Sequence, residues 1–189
     1  MVKNRNQVNI IGGEYRGRLL SVSNVDGLRP TTNRIRETVF NWLQPMIVGS
    51  TCLDLFAGSG ALGIEAVSRG AKYADLIDVS RVAVKNLKQN LDKLKISNVE
   101  LFNESAFNWI KNNKKTYDII FLDPPFELNC LDEISHLLCV NKCLKENTII
   151  YMEYNHARHL SQIPDGWSLL KNKKTGQVAY SLYDVKQNY

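Results

Sequence analysis

Apolar residues follow two alternating spacings along most of this chain, and each spacing predicts one type of element. From residue 50 onward, short apolar runs alternate with segments whose apolar residues recur every three or four positions. This alternation of strands and helices is typical of a doubly wound, mostly parallel sheet in an α/β protein. The predicted strands are Cys52–Phe56, Tyr73–Asp78, Val99–Phe102, Tyr117–Leu122 and Thr148–Tyr154. The predicted helices are Ala61–Arg69, Arg81–Leu94, a short one containing Phe107–Ile110, and Leu131–Cys139.

The end of the chain predicts a different connection. Trp167–Leu170 and Val178–Val185 are strand-like, and the polar segment 171–176 separates them. That segment is too short for a helical crossover but long enough for a hairpin. We therefore expect the parallel sheet to finish with an antiparallel pair. Methyltransferase sheets end in this way, whereas the sheets of dinucleotide dehydrogenases usually do not.

The beginning of the chain predicts a small extension outside this repeat. Val8–Ile11 and Arg18–Val22 are strand-like and flank a turn with three glycines, which indicates a hairpin. A helix should follow, capped by Thr32 or Asn33, with its apolar stripe formed by Ile35, Val39, Trp42, Leu43 and Met46. Arg34 and Arg36 are expected near its first turn, off the apolar stripe.

Charge is concentrated in the same region. The chain has a net charge of +5, and residues 1–36 alone carry seven basic and two acidic residues, also +5. An excess confined to one segment indicates a surface for a polyanion, although a solvated basic tail is the alternative. We predict that Arg16, Arg18, Arg29, Arg34 and Arg36 contact this polyanion.

Length and composition set the broad class. A chain of 189 residues with 44% hydrophobic and 23% charged residues is expected to form one soluble domain. Within it we distinguish a basic extension, residues 1–48, from a core, residues 49–189. No apolar run is long enough to span a membrane, and the polar first residues do not resemble a signal peptide. We expect a cytoplasmic protein, without a membrane partner, that is a monomer.

The cysteines do not predict a metal site. Cys52, Cys130, Cys139 and Cys143 contain no C-x-x-C pair, and His136 lies at no familiar zinc spacing from them. Buried free thiols in a reducing compartment are the better interpretation, and we predict no metal.

A glycine-rich turn follows the first strand of the predicted core. Gly58, Gly60 and Gly63 match G-x-G-x-x-G, a pattern that alone fits NAD, FAD or S-adenosylmethionine. Asp54 favours S-adenosylmethionine, because a carboxylate there can orient the turn or receive a methionine ammonium, and would repel a pyrophosphate. The cofactor-binding residues predicted here are Asp54, Phe56, Ala57, Gly58, Ser59 and Gly60.

An acid ends the second strand of the core. Asp78 is placed to accept hydrogen bonds from both ribose hydroxyls of a bound nucleoside. Its alternative role is to cap the following helix, and the two roles are compatible.

The segment Asp123-Pro124-Pro125-Phe126, at the end of the fourth strand, carries the sharpest chemical prediction. Each proline fixes its own φ and restricts the residue before it, so this segment should be extended and rigid. The Asp123 carboxylate and the Pro124 carbonyl would then accept the two hydrogens of an exocyclic amine, while Phe126 stacks on its base. The lone pair of the amine nitrogen would then point at a sulfonium methyl group and could attack it without a covalent enzyme intermediate.

These motifs together resemble a known family. Asp-Pro-Pro-Phe resembles the signature of methyltransferases that act on exocyclic or amide nitrogens, including adenine N6 and guanine N2. With the arginine-rich blocks, the chain resembles the bacterial RsmD family of 16S ribosomal RNA guanine-N2 methyltransferases over about residues 10–183. The blocks are GGEYRGR at 12–18, GLRPTT at 27–32, RIRET at 34–38 and FNWL at 40–43.

The resemblance implies roles for most of these residues. It assigns Asp54–Gly60 and Asp78 to S-adenosylmethionine, Asp123–Phe126 to the target guanine, and the arginine-rich segment to 16S RNA, the 30S subunit or an assembly intermediate. The segment Asn103-Glu104-Ser105-Ala106 falls where many methyltransferases place an aspartate against the adenine amine, so Ser105, with Ala106, would make this contact less strongly, and Asp78 stands where a glutamate is common. Rival hypotheses are an adenine-N6 methyltransferase on DNA or RNA, a non-catalytic RNA-binding assembly factor, and a NAD-dependent dehydrogenase.

Overall fold

The computed structural model describes residues 7–22, 32–157 and 163–186. The strands in these ranges are β1 (Gln7–Asn9), β2 (Leu19–Ser21), β3 (Thr51–Asp54), β4 (Tyr73–Ile77), β5 (Val99–Phe102), β6 (Ile119–Leu122), β7 (Ile149–Asn155), β8 (Trp167–Thr175) and β9 (Val178–Val185). The α-helices are α1 (Asn33–Ile47), α2 (Gly63–Ser68), α3 (Arg81–Leu94), α4 (Ala106–Asn112) and α5 (Leu131–Val140). A 3₁₀ turn spans Phe126–Leu128.

The main sheet has seven strands in the order β5-β4-β3-β6-β7-β9-β8. The first five strands in this order, β5, β4, β3, β6 and β7, are parallel to one another. Strand β9 pairs antiparallel with both β7 and β8. The predicted doubly wound sheet with an antiparallel end is therefore confirmed. The chain leaves β3 toward β4 and later returns to its other side with β6, so the strand order reverses between β3 and β6. Ligands of such sheets bind beyond the carboxyl ends of the strands at this point.

Each face of the sheet packs against its own set of helices. One core contains Ile35 of α1, Ala66 of α2 and Leu87 of α3. The other contains Ile110 of α4 and Ile134 of α5. Because β6 is buried on both sides, it is a continuous apolar run, as parallel strands usually are.

The predicted hairpin and helix before the core are both present, although the two hairpin strands are shorter than predicted. Strands β1 and β2 pair antiparallel, with Val8 opposite Leu20. Thr32 caps α1, since its side chain accepts a hydrogen bond from the Ile35 amide. Ile10 and Leu20 share a core with α1, so the hairpin packs on the same face of the sheet.

The prediction for the last hairpin was wrong in one respect. The polar segment expected to be a linker mostly continues β8, which runs to Thr175, with a register shift between Leu169 and Lys171. Strand β8 lies at the edge of the sheet and its middle is solvent-exposed, so polar side chains are compatible with pairing there. The turn is confined to Gly176, whose φ of +61° suits glycine, and to Gln177.

All four cysteines are buried and free of disulfides. No three His, Cys, Asp or Glu side chains group as metal ligands within residues 7–22, 32–157 and 163–186. In the same ranges, no helix is both long enough and apolar enough to cross a membrane.

Candidate active site

The glycine turn begins at a buried carboxylate at the end of β3. Asp54 is 1% exposed, and its Oδ2 accepts a hydrogen bond from the Gly63 amide at 3.1 Å. Burial raises the pKa of Asp54 to about 7, against the opposing effect of the Gly63 and Phe56 amides. Oδ1 is also buried and has no hydrogen-bond partner among the described residues. Asp54 thus holds the two ends of the turn together through Oδ2, and its Oδ1 remains available to accept a further hydrogen bond.

The turn is also tied to the end of the neighbouring strand β4. Gly58 has φ +51°, a left-handed conformation that favours glycine, and its amide donates to Asp78 Oδ2 at 2.7 Å. Asp78 Oδ1 accepts from the Ser80 amide at 2.7 Å, just before α3. Asp78 therefore orders the approach to α3 and the glycine turn at once. Each oxygen retains a second lone pair that a ribose hydroxyl could use.

The remaining residues of the turn are tightly packed. At Gly60, φ is +79°, and a Cβ would lie 2.6 Å from Leu87 Cδ2, so a side chain has no room there. The Gly60 amide donates to the Ala57 carbonyl at 2.6 Å, and the Ala57 amide donates to Ile77 at the end of β4. Ser59 is buried, while Phe56 is half-buried against the core around α4 and α5. The structure thus groups all six predicted turn residues beside Asp78.

The end of β5 adds residues on the far side of Asp78. Ser105 caps α4 by accepting from the Asn108 amide at 3.2 Å, and Ala106 is buried at the first position of that helix. The sequence analysis missed Asn103, whose side-chain amide donates to the carbonyls of Asp78 and Val79 at 3.0 Å each. Its position directly after a strand was the available signal. The contact of Ser105 and Ala106 with adenine stays a prediction.

The Asp-Pro-Pro-Phe segment leaves β6 on the other side of β3. Strands β3 and β6 are hydrogen-bonded neighbours, with Asp54 in register with Phe121. Pro125 has φ −50° and ψ 130°, and the 3₁₀ turn starts at Phe126. Pro124 is buried, Pro125 is exposed, and Phe126 is half-buried. The segment therefore follows the neighbouring strand, at the same edge of the sheet as the glycine turn.

A small cleft lies beside this segment. Its walls come from the end of β6, the start of α5 and the end of β7, and include Pro124, Pro125, Phe126, Glu153 and Tyr154. Glu153 was also missed by the sequence analysis, although a lone carboxylate in an apolar strand was visible. Its Oε2 accepts a hydrogen bond of 2.6 Å from the Tyr151 hydroxyl.

Arg36 does not belong to the predicted RNA surface, and this prediction was wrong. The side chain is 0% exposed, and its Nη2 donates to the Asn9 carbonyl at 2.9 Å and to Asn33 Oδ1 at 2.6 Å. Nη1 lies 3.7 Å from Glu65 Oε2. Position 36 shares a helix face with Phe40, Leu43 and Ile47, all buried, because residues three or four apart lie on one side. The burial also lowers the pKa of Arg36.

Glu65 anchors the N-terminal hairpin to α2. Its two carboxylate oxygens accept from the Ile11 and Gly12 amides at 2.8 Å each, and Oε1 also accepts from Arg69 Nε at 2.7 Å. Ser68 adds a second attachment, since its hydroxyl donates to the Gly12 carbonyl at 2.6 Å. These contacts hold the hairpin turn, with its arginines, against α2.

Three of the predicted RNA-contacting arginines are solvent-exposed. Arg16 and Arg18 lie in the hairpin turn, and Arg34 lies on the first turn of α1. Arg29 lies outside the described residues. The basic segment therefore contributes both an exposed set and the buried Arg36, which differ in what they can contact.

These observations define the class of protein first. A mostly parallel sheet with an antiparallel end, a glycine turn after its first strand and Asp-Pro-Pro-Phe after its fourth form a Rossmann-like methyltransferase fold. The solved structure of the yhhF protein of Escherichia coli superposes with a TM-score of 0.88 at 47% identity. It covers 95% of this chain and 98% of that one.

The family follows from two further comparisons. The family model described as "Conserved hypothetical protein 95" matches residues 8–184. Ribosomal RNA small subunit methyltransferase D of Escherichia coli strain K12 is 47% identical over 177 residues, which cover 94% of this chain and 89% of that protein. Its Haemophilus influenzae counterpart is 46% identical over 183 residues, covering 95% and 94%. The chain belongs to this family, RsmD, and the resemblance drawn from the sequence is confirmed.

Proposed function

We propose that this protein transfers a methyl group from S-adenosylmethionine to the exocyclic N2 of a guanine in small-subunit ribosomal RNA. The observation that carries the proposal is the position of the Asp-Pro-Pro-Phe segment: it follows β6, the strand paired with β3, and the Asp54–Gly60 turn begins at the end of β3, in a chain of the RsmD family. The substrate named for the relatives supports an RNA target. The rigid acceptors of the segment support an amine as the reacting group.

The cofactor side of the site fits S-adenosylmethionine. The unpartnered, buried Oδ1 of Asp54 suits an ammonium group, which would favour the charged carboxylate over the neutral form. Asp78, already fixed by the Gly58 and Ser80 amides, offers its remaining lone pairs to ribose hydroxyls. When bound, the cofactor supplies an electrophilic methyl group. The protein residues hold it in place and take no covalent part.

The acceptor side positions a poor nucleophile. The lone pair of an exocyclic amine is delocalised into the ring, so attack requires a more pyramidal nitrogen. The Asp123 carboxylate and the Pro124 carbonyl accept hydrogen bonds from the two N–H groups of the amine. These bonds favour the pyramidal geometry and stabilise the positive charge that develops on the nitrogen. Phe126 stacks on the base and fixes its plane. Because the prolines restrict the backbone, these groups need little reorganisation during the reaction.

RNA approaches from the side of the hairpin. Arg16, Arg18 and Arg34 are exposed, and the guanidinium group can grip phosphate with two hydrogen bonds or stack on an unpaired base. The Glu65 and Ser68 contacts fix the hairpin relative to the glycine turn. Binding can therefore present a flipped-out base to a site whose distance from the arginines is set by the fold.

Mass spectrometry of ribosomal RNA tests this function. Small-subunit RNA from cells of the source organism that lack the protein is digested to nucleosides and compared with RNA from the parent strain. We expect one N2-methylguanosine to be absent and to return when the gene is restored. Loss of N6-methyladenosine instead would assign the activity to the other exocyclic amine. An unchanged nucleoside profile would indicate a non-catalytic role.

A further inference from the structure

The side-chain amide of Asn103 joins the connections that follow two neighbouring strands. Asn103 comes directly after β5, and its Nδ2 donates to the carbonyls of Asp78 and Val79 at 3.0 Å each. Both acceptors come directly after β4, the strand that pairs with β5. An amide nitrogen carries two hydrogens, so these two bonds use all of its donor capacity. One side chain therefore links the two connections at the edge of the sheet that borders the proposed cofactor site.

These bonds begin where the pairing of the two strands ends. The last residues of β4 and β5 that are in register are Ile77 and Phe102. The Asp78 amide still donates to the Phe102 carbonyl at 3.1 Å. Backbone carbonyls beyond a strand take their donors from side chains or from water. Water would satisfy the carbonyls of Asp78 and Val79 without fixing their direction, whereas Asn103 fixes it.

The backbone that Asn103 holds carries the carboxylate proposed to receive the ribose. Asp78 Oδ2 accepts from the Gly58 amide and Oδ1 from the Ser80 amide, at 2.7 Å each. These bonds can orient the carboxylate only if the backbone that bears it stays in place. Because β4 lies between β3 and β5, Asp78 is held from one side by Gly58, in the turn after β3, and from the other side by Asn103.

We propose that Asn103 is a positioning residue for the nucleoside half of S-adenosylmethionine, and that it acts by holding Asp78 in the orientation that receives the ribose. This inference rests on the proposed function. A binding group that is already ordered lowers the free-energy cost of binding, because the ligand does not have to order it. Without Asn103, that cost falls on cofactor binding. Asn103 takes no part in methyl transfer, so the rate at saturating cofactor should not depend on it.

The other end of the same strand pair provides a matched control. Asn98 comes directly before β5, and its Nδ2 donates to the carbonyls of Ala71 and Lys72, directly before β4, at 3.4 and 3.2 Å. The two asparagines thus make the same kind of bridge between the same strands, at opposite edges of the sheet. Only Asn103 lies at the carboxyl edge, where ligands of such sheets bind. Asn103→Leu and Asn98→Leu each remove one bridge, because leucine has a similar shape and no donor.

Calorimetric titration with S-adenosylhomocysteine and urea unfolding compare the two variants. We expect Asn103→Leu to bind S-adenosylhomocysteine about tenfold more weakly, from the loss of two exposed hydrogen bonds, and Asn98→Leu to bind like the wild type. Both variants should lose a similar amount of stability. In methyl transfer, Asn103→Leu should raise the KM for S-adenosylmethionine about tenfold and leave kcat within about twofold. Asn103→Gln keeps both donors on a longer side chain and should recover part of the affinity.

A double-mutant cycle shows whether Asn103 acts through Asp78. In an Asp78→Asn background, Asn103→Leu should weaken binding by less than about threefold, because the carboxylate that it positions is already gone. In an Asp54→Asn background it should still weaken binding about tenfold. Tenfold effects in both backgrounds would mean that Asn103 acts independently of Asp78, which contradicts the positioning role.

The outcomes separate this inference from the proposed function. A wild type that does not bind S-adenosylhomocysteine overturns the proposed function itself. If the wild type binds it, undiminished affinity in Asn103→Leu, or equal weakening by Asn103→Leu and Asn98→Leu, overturns the role of Asn103 and leaves the proposed function standing. If Asn103→Leu does not fold, Asn103→Ala removes the same donors without adding apolar surface, and wild-type affinity in that variant contradicts the inference as well.

Discussion

Asp78 accepts the amide hydrogen of Gly58 at 2.7 Å, and this bond joins the end of β4 to the glycine turn that follows β3. The same carboxylate accepts from Ser80 before α3. One side chain thus orders two structures that border the proposed cofactor site. Its loss should be felt in ligand affinity more than in the stability of the sheet.

Asp78→Asn should weaken the binding of S-adenosylhomocysteine about 10- to 100-fold. An amide supplies one acceptor where the carboxylate supplies two, so either Gly58, Ser80 or the ribose loses its partner. Calorimetric titration measures the effect. Asp92→Asn, an exposed position on α3, is the control and should bind like the wild type. Wild-type affinity in Asp78→Asn would contradict the ribose role.

Gly58→Ala and Gly176→Ala form a matched pair. Both glycines have positive φ, +51° and +61°, so each alanine should cost roughly 1–2 kcal/mol of stability. Only Gly58 lies in the proposed site, so only Gly58→Ala should also lose S-adenosylhomocysteine binding, by at least about tenfold. Urea unfolding and calorimetry separate the two effects. Equal affinities in the two variants would remove the turn from the cofactor site.

Asp54 should make cofactor affinity depend on pH. Its pKa in the folded protein is about 7, so the carboxylate is largely protonated at pH 6 and ionised at pH 8. If the ionised form receives the ligand ammonium, affinity for S-adenosylhomocysteine should rise several-fold as pH increases through 7. Asp54→Asn should abolish the rise. A flat profile in the wild type would limit Asp54 to orienting the turn.

The same residue predicts the pH dependence of the stability of the free protein. Because the folded pKa is raised above the ordinary 3.8, the unfolded chain releases this proton at lower pH than the folded one. The contribution of Asp54 to stability is therefore fully present below about pH 4 and is lost progressively as the pH rises from 4 to 7. Urea unfolding of the wild type and Asp54→Asn across this range checks the sign. We expect the free energy of unfolding of the wild type to increase relative to that of Asp54→Asn as the pH falls from 7 to 4.

Arg34 and Arg36, two residues apart on α1, should have opposite phenotypes. Arg36→Met leaves Glu65 with one ionic partner fewer in a buried network, and should cost about 3 kcal/mol of stability. Arg34→Met should leave stability unchanged but weaken RNA binding and lower its log–log salt slope by about one. Thermal unfolding and filter binding at several salt concentrations check both. Loss of RNA affinity by a folded Arg36→Met, with none in Arg34→Met, would reverse the assignment.

The exposed arginines should account for most of the salt dependence. Neutralising Arg16, Arg18 and Arg34 together should flatten the salt slope by at most about three units and leave cofactor affinity unchanged. Lys171, Lys173 and Lys174 on the exposed edge strand β8 provide a control with the same change in charge. Equal effects of the two triple variants would indicate a diffuse attraction rather than a hairpin surface.

The sequence predicted the sheet because its buried strands and amphipathic helices follow periods set by their own geometry. It failed where tertiary context decides. Arg36 was assigned to the surface because arginine usually is, and the buried Glu65 that accompanies it lies 29 positions away in the chain. The polar part of β8 was assigned to a linker because it lacks the apolar residues of a typical buried strand. A solvent-exposed edge strand does not need them. Glu153 acquires its place from the register between β6 and β7, which no local pattern encodes.

The most direct test of the central claim compares the wild type with Asp123→Ala on small ribosomal subunits from cells that lack the protein. Labelled methyl transfer is followed at saturating S-adenosylmethionine, the product nucleoside is identified by mass spectrometry, and cofactor affinity is measured by calorimetry. We predict N2-methylguanosine from the wild type, a rate on the order of 100-fold or more lower for Asp123→Ala, and cofactor affinity within a few-fold. Normal turnover by Asp123→Ala, or a collapse of cofactor affinity with normal turnover per bound cofactor, would contradict the account.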